Sequence, residues 1–151
     1  MSEERQYTSR RQAIVHSLVD VLKCIDGSGE FTTNLYKNVH SRLLFWDEVA
    51  QYPAVHIAAG AETREYQGGG YKDRFLTVTI RCYVQEENSQ NALWLLVEDV
   101  ETMIEQHSRL TYKDRHGKSG VTQQISIISI TTDEGALEPI GVAEVQLEVR
   151  Y

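Results

Sequence analysis

The stretch "EYQGGGYKD", Glu65 to Asp73, sets three consecutive glycines between two tyrosines, the pattern by which a loop wraps backbone donors around a phosphate. A P-loop needs Gly, four residues, then Gly, Lys and Ser or Thr. The nearest match, "HGKS" at His116 to Ser119, has Tyr112 where the first glycine belongs. The run Gly68 to Gly70 also departs from the dinucleotide fingerprint, because a strand pattern follows it where a helix should open. Histidines 16, 40, 56, 107 and 116 are scattered, with no pair at helical ligand spacing and no cysteine pair beside them, so the sequence predicts no metal site and no cofactor. Ser, His and Asp are present without a G-x-S-x-G turn to expose a nucleophile. Paired carboxylates, Asp47 with Glu48, Glu98 with Glu101 and Asp133 with Glu134, are the residue type that splits pKa values for acid–base work. Solvated turns and helix faces account for them more simply.

The elements that must position these residues are legible from periodicity. Apolar residues Ile14, Leu18, Val21, Leu22 and Ile25 recur at spacings of three and four, predicting an amphipathic helix over 10–25 that stops at "DGSG", with Gly27 and Gly29 as its cap and exit. The following segment, 30–50, has no clean period and reads as an ordered connection with a short strand or helical turn. After Pro53, Val55, Ile57 and Ala59 alternate with His56 and Ala58. "FLTVTIRCYV" alternates most clearly, with Leu76, Val78, Ile80, Cys82 and Val84 on one face and Phe75, Thr77, Thr79, Arg81 and Tyr83 on the other. Asn88 or Ser89 caps a second helix whose stripe is Leu93, Leu96, Val97, Val100, Met103 and Ile104. Glu98, Glu101 and Glu105 line its other side, with Arg109 four residues beyond Glu105 as a stabilising partner. A polar loop, "TYKDRHGKSG", leads to the strand "TQQISIISI", the turn "TTDEGALEPIG", and a last strand with Ala143, Val145, Leu147, Val149 and Tyr151 on one face. The expected fold is α+β: a mainly antiparallel sheet of about four strands with both helices on its apolar face, in one domain spanning 1–151.

Composition bounds the function. A chain of 151 residues, 41% hydrophobic and 25% charged, suits a single core. No stretch approaches the roughly 20 apolar residues that span a bilayer, and the start "MSEERQYTSRRQ" lacks a signal-peptide core, so the expectation is a soluble chain made inside the cell, with no membrane role. Cys24 and Cys82 read as buried free thiols. A net charge of −7 argues against a dedicated nucleic-acid binder. Around the glycine loop, however, Arg64, Tyr66, Tyr71, Lys72 and Arg74 combine tyrosine with basic residues, the mixture favoured at protein interfaces.

With these motifs assembled, the chain resembles the tail terminator, or tail completion, proteins of long-tailed bacteriophages. The resemblance covers nearly the whole chain and rests on "FWDEVAQYPAVHIAAGAE", "RCYVQEENSQNALWLLVEDVETMIE" and "TTDEGALEPIGVAEVQLEVRY" in that order. It implies a structural virion protein, not an enzyme: a homo-hexameric ring that caps the tail tube, ends its polymerisation and joins it to the head connector. Such a subunit assembles in the host cytoplasm and resides at the head-proximal end of the tail, with tube and neck proteins as partners. DNA passes through without specific binding. For the hairpin the resemblance implies subunit or tube contact by Arg64, Tyr66, Gly68, Gly69, Gly70, Tyr71, Lys72 and Arg74. Glu98, Glu101 and Glu105 become candidates for the subunit boundary or lumen. Asp133, Glu134, Gly135 and Pro139 match the family's acidic turn, with Gly135 expected at positive φ. The rival readings are another neck or head-completion connector, or a small α+β enzyme or ligand-binding module.

Overall fold

A computed structural model describes residues 9–151; the opening residues 1–8, on which the reading of the N-terminus and of one domain from residue 1 partly rests, lie outside the described residues. Helix α1 (Arg10–Leu22) is capped by Ser9, whose hydroxyl accepts from the Gln12 N–H at 3.2 Å. It buries Ile14, Val15, Leu18 and Leu22. The helix ends three residues before the predicted stop, because the N–H groups of Cys24 and Ile25 bond back to Val21 and Leu22 and tighten the last turn. Ile25 still reaches the core, whereas Cys24 is exposed, contrary to the expectation of two buried thiols. Gly27 and Gly29, at φ +81° and +64°, shape the loop beyond the helix instead of capping it.

The main sheet has five strands in the order β1–β2–β3–β7–β6: β1 (Val39–His40), β2 (Ala54–Tyr66), β3 (Lys72–Gln85), β6 (Gln124–Thr132) and β7 (Ile140–Arg150). Four are antiparallel neighbours; β1 pairs in parallel with Val55 and His56 only. The expected four-stranded sheet is therefore a mixed five-stranded one. Between α2 (Ser89–Gln106) and β6 lies a small separate hairpin of β4 (Thr111–Lys113) and β5 (Ser119–Val121), where the sequence suggested only a polar loop. Its Tyr112 is buried edge-on to Tyr151, with ring centroids 6.3 Å apart.

Both helices contribute to one continuous core with the inward residues of β2, β3 and β7. The α2 stripe read from sequence is buried throughout, and Asn88 caps the helix, accepting from the Asn91 N–H at 3.3 Å. The opposite face of the sheet is roofed at one end by the strap 41–48, which ends in a short 3-10 turn, Trp46–Glu48. Tyr83, expected on an open outer face, is 1% exposed beneath the strap and donates its hydroxyl hydrogen to the Leu44 carbonyl at 2.6 Å.

Where α2 begins, Gly141 on β7 lets the helix and sheet touch. A Cβ there would lie 2.9 Å from Val84 Cγ2 and 3.2 Å from the Ser89 carbonyl oxygen. Gly141→Ala is therefore expected to lower stability by roughly 1–3 kcal/mol through forced separation of α2 from β7. A denaturant midpoint equal to that of the parent protein would refute this packing.

Candidate assembly surface

Beyond the core, β2 and β3 continue as a two-stranded arm whose form depends on one irregularity. Ala59 pairs with Val78 but Glu62 pairs with Leu76, so β2 carries one extra residue between them, a β-bulge. Because side chains alternate, that residue exchanges the two faces of β2. Val55 and Ile57 face the core before the bulge; after it Glu62, Arg64 and Tyr66 lie on the core side, opposite Leu76, Arg74 and Lys72. Thr63 and Glu65, opposite Phe75 and Asp73, take the other side. Beyond Glu62 the arm is sorted by charge as a result: Arg64, Arg74, Lys72 and Tyr66 on one face, Glu65 and Asp73 on the other.

At the base of the arm, Glu62 gathers three donors. Arg11 of α1 binds it in a fork, Nε to Oε1 at 3.1 Å and Nη2 to Oε2 at 2.7 Å. Arg64 Nε donates to Oε2 at 3.0 Å, and the Tyr151 hydroxyl donates to Oε1. Burial pushes the Glu62 carboxyl up, but the hydrogen bonds from Arg11, Tyr151 and Arg64 outweigh it and bring the pKa down to about 2. The Arg74 guanidinium lies 4.5 Å from the centroid of the Tyr151 ring. Like charges facing each other across a strand pair destabilise it. Here Arg64 is offset by Glu62, and Asp73 by Arg150 at 2.7 Å.

Toward the tip the remaining partners are local ones within the arm. Gly68–Gly70 form a 3-10 turn, with Gly69 and Gly70 at φ +77° and +82°, closed by a Gln67 N–H to Tyr71 carbonyl bond of 2.7 Å. Tyr66 and Tyr71 are 75% and 76% exposed, and Lys72 has no ion-pair partner among the described residues. Thus the eight hairpin positions divide. Arg64 and Arg74 hold the base, Tyr66 keeps a side-chain contact with Arg64, and Tyr66, Tyr71 and Lys72 are exposed around the glycine turn.

Helix α2 presents a second surface. Glu98 and Glu105 are exposed and Glu101 is half-buried, along one face with Trp94 and Leu95 at its N-terminal end. Partial burial and then the charges of Glu105 and Glu98 push the Glu101 pKa up. The partner predicted for Glu105 is missing: α2 ends at Gln106, so Arg109 lies outside it and pairs with no carboxylate among the described residues. Exposed Trp94 and Leu95 were not singled out in the sequence, although their places off the buried stripe are visible there. The buried Asp99 serves the loop before β1, accepting from the N–H groups of Thr32 and Thr33 at 3.1 and 2.7 Å.

The acidic turn lies at the N-terminal end of α2. Asp133 Oδ1 accepts from Gln90 at 3.0 Å and from the Val142 N–H at 3.3 Å, and Oδ2 from the Leu137 N–H at 3.1 Å. Glu134 and Gly135 both have positive φ, +56° and +85°, and the Pro139 carbonyl accepts from the Glu86 N–H at 2.9 Å. These contacts fasten the turn to α2 and to the end of β3.

Under the strap, His56 is 1% exposed and its Nδ1 accepts from the Leu44 N–H at 3.2 Å, which places the ring proton on Nε2. Burial, followed by the charges of His40, Arg81 and Arg42, lowers its pKa to about 4. His40 approaches edge-on at 5.3 Å, but no cluster of three metal-binding side chains occurs among the described residues. A hollow of about 570 Å³ between α1 and the β4–β5 hairpin has His16, Ser17 and Asp20 in its lining. His16 is hydrogen-bonded to Gln12 at 2.9 Å, with no nucleophile paired to it among the described residues.

Both perturbed groups make the fold acid-sensitive. Unfolded His56 takes up a proton near 6.5 and the folded residue only near 4, so stability is full above pH 6.5 and falls on the order of 3 kcal/mol as pH drops toward 4. Glu62 adds a second decline between 4.5 and about 2. Chemical denaturation across pH should show both legs, with Glu62→Gln removing the lower one; a curve flat from pH 6.5 to 4 would contradict the burial of His56.

Comparison with known proteins gives a consistent result. Residues 8–151 match the family described as Bacteriophage Tail Tube Terminator Protein. The Tail tube terminator protein p142 of Escherichia phage T5 is 34% identical over 149 residues, covering 93% of this chain and 92% of that protein. Among solved structures, a chain in the virion of a native gene transfer agent particle superposes with a TM-score of 0.56 at 10% identity, covering 94% of this chain and 93% of that one. That last likeness is one of fold.

Proposed function

The chain belongs to the bacteriophage tail tube terminator family, and from that premise we propose that it is a structural ring subunit. Six copies close on the head-proximal end of the finished tail tube, stop its growth and offer their other face to the head connector. The subunit is made in the host cytoplasm and ends in the virion, and its role needs neither catalysis nor a cofactor. The observation that carries this reading is the arm. Two largely exposed tyrosines and an unpaired lysine sit at the end of a hairpin that leaves the core, a placement suited to gripping another protein. An isolated two-stranded hairpin is marginal in water, so a partner that covers this one also stabilises it.

The charge supports the passage of DNA without capture. Six subunits at −7 give a ring of about −42, and a duplex is repelled by net negative charge. Arginine and lysine on the arm are directed to protein contact in this reading, and those at its base are already shared with Glu62 and Tyr151.

Particle imaging and mass measurement of the purified protein, alone and with tail tubes, test the proposal. The expected outcome is a six-fold ring near 103 kDa, from six chains of 17.2 kDa, or six subunits capping a tube end. A protein that stays monomeric and never caps a tube rejects it. Changing Tyr66 and Tyr71 together to Ala is expected to abolish capping and leave the circular dichroism of the free subunit unchanged.

A further inference from the structure

Two surfaces of this chain complement each other and do not meet within it. One is the basic face of the arm, where Arg64, Tyr66, Lys72 and Arg74 are brought together by the β2 bulge. The other is the exposed face of α2, where Trp94 and Leu95 precede Glu98, Glu101 and Glu105. Among the described residues no ion pair joins them, and no cation pairs with the three glutamates. Glu98, Glu101 and Glu105 lie one turn apart on the same helix face, and like charges at that spacing repel one another. A cation placed against them relieves that repulsion.

We infer that the basic face of the arm in one subunit docks on the acidic face of α2 in a second copy of the chain, with Lys72 against the glutamates and a tyrosine of the tip against Trp94 and Leu95. The occupant is a second copy because one chain carries both halves of the contact on different parts of its surface. A contact between unlike surfaces repeats head to tail and closes into a ring when the rotation allows. Opposite charge fixes the register, and the aromatic and aliphatic groups supply the area. The inference rests on the ring reading above and specifies which surfaces meet in it.

Charge exchange tests the contact directly. Both Lys72 and Glu98 are exposed, and their side chains make no hydrogen bond among the described residues, so Lys72→Glu and Glu98→Lys are expected to leave the subunit folded, as thermal unfolding of each variant verifies. Each alone is expected to weaken ring formation or tube capping at least about tenfold by setting like charges together. The double variant is expected to recover most of the loss. In a Trp46→Phe background, which leaves Trp94 as the single tryptophan, its emission should shift to the blue on assembly. Rings that form equally well with Lys72→Glu, or single defects that the double variant does not relieve, would overturn the inference while leaving the terminator function standing. If the parent protein forms no ring and caps no tube, the function and this contact fall together.

Discussion

The bond that organises this molecule is the fork between Arg11 and Glu62. It joins the first turn of α1 to the base of the arm, and the Tyr151 hydroxyl brings the end of β7 to the same carboxylate. Its energy is modest, because the Arg11 side chain is 40% exposed and water screens that half of the pair. Its geometry matters more. With two parallel donors the carboxylate has one favoured orientation, and that orientation requires Glu62 on the core side of β2. Ion pair and bulge therefore specify each other. Shift β2 by one residue and Glu62 faces away from α1, while Thr63 occupies its place.

How much of this was readable in advance depends on how strongly each segment contrasts its two faces. β3, β7 and α2 carry long unbroken patterns, and their inward residues are those found in the core. β1 is two residues long and offers no pattern at all. The β4–β5 hairpin hides because Tyr112 is the single buried residue of β4 and β5 buries none, which leaves no alternation to read. The strap over His56 and Tyr83 escapes for a different reason: outward residues of a strand look polar or mixed whether water or another loop covers them. The bulge is quieter still. It falls between Ala59 and Glu62, at the end of the run Ala58, Ala59, Gly60, Ala61, where four small residues give either register the same appearance.

The candidate assembly residues show the same division. The glycine turn and its tyrosines announce themselves by composition, and the structure leaves them exposed. Arg64 and Arg74 look equivalent to Lys72 in sequence but are held within the fold, which only the positions of Glu62 and Tyr151 reveal. On α2, Arg109 has the right spacing for Glu105 but lies past the end of the helix, so local periodicity supplied a partner that the chain's path removes. Pairing by spacing holds only while the element continues.

The bulge has a consequence for how the arm can vary. Beyond it, every position is addressed by parity: even steps along the strand return to the same side and odd steps cross over. Lengthening both strands by two residues carries the tip outward by about 7 Å with its tyrosines still aimed as before. Lengthening them by one turns the tip over. The reach of the arm can therefore change only in quanta of a full pleat, and any intermediate length turns carboxylates to the side that now carries the lysine.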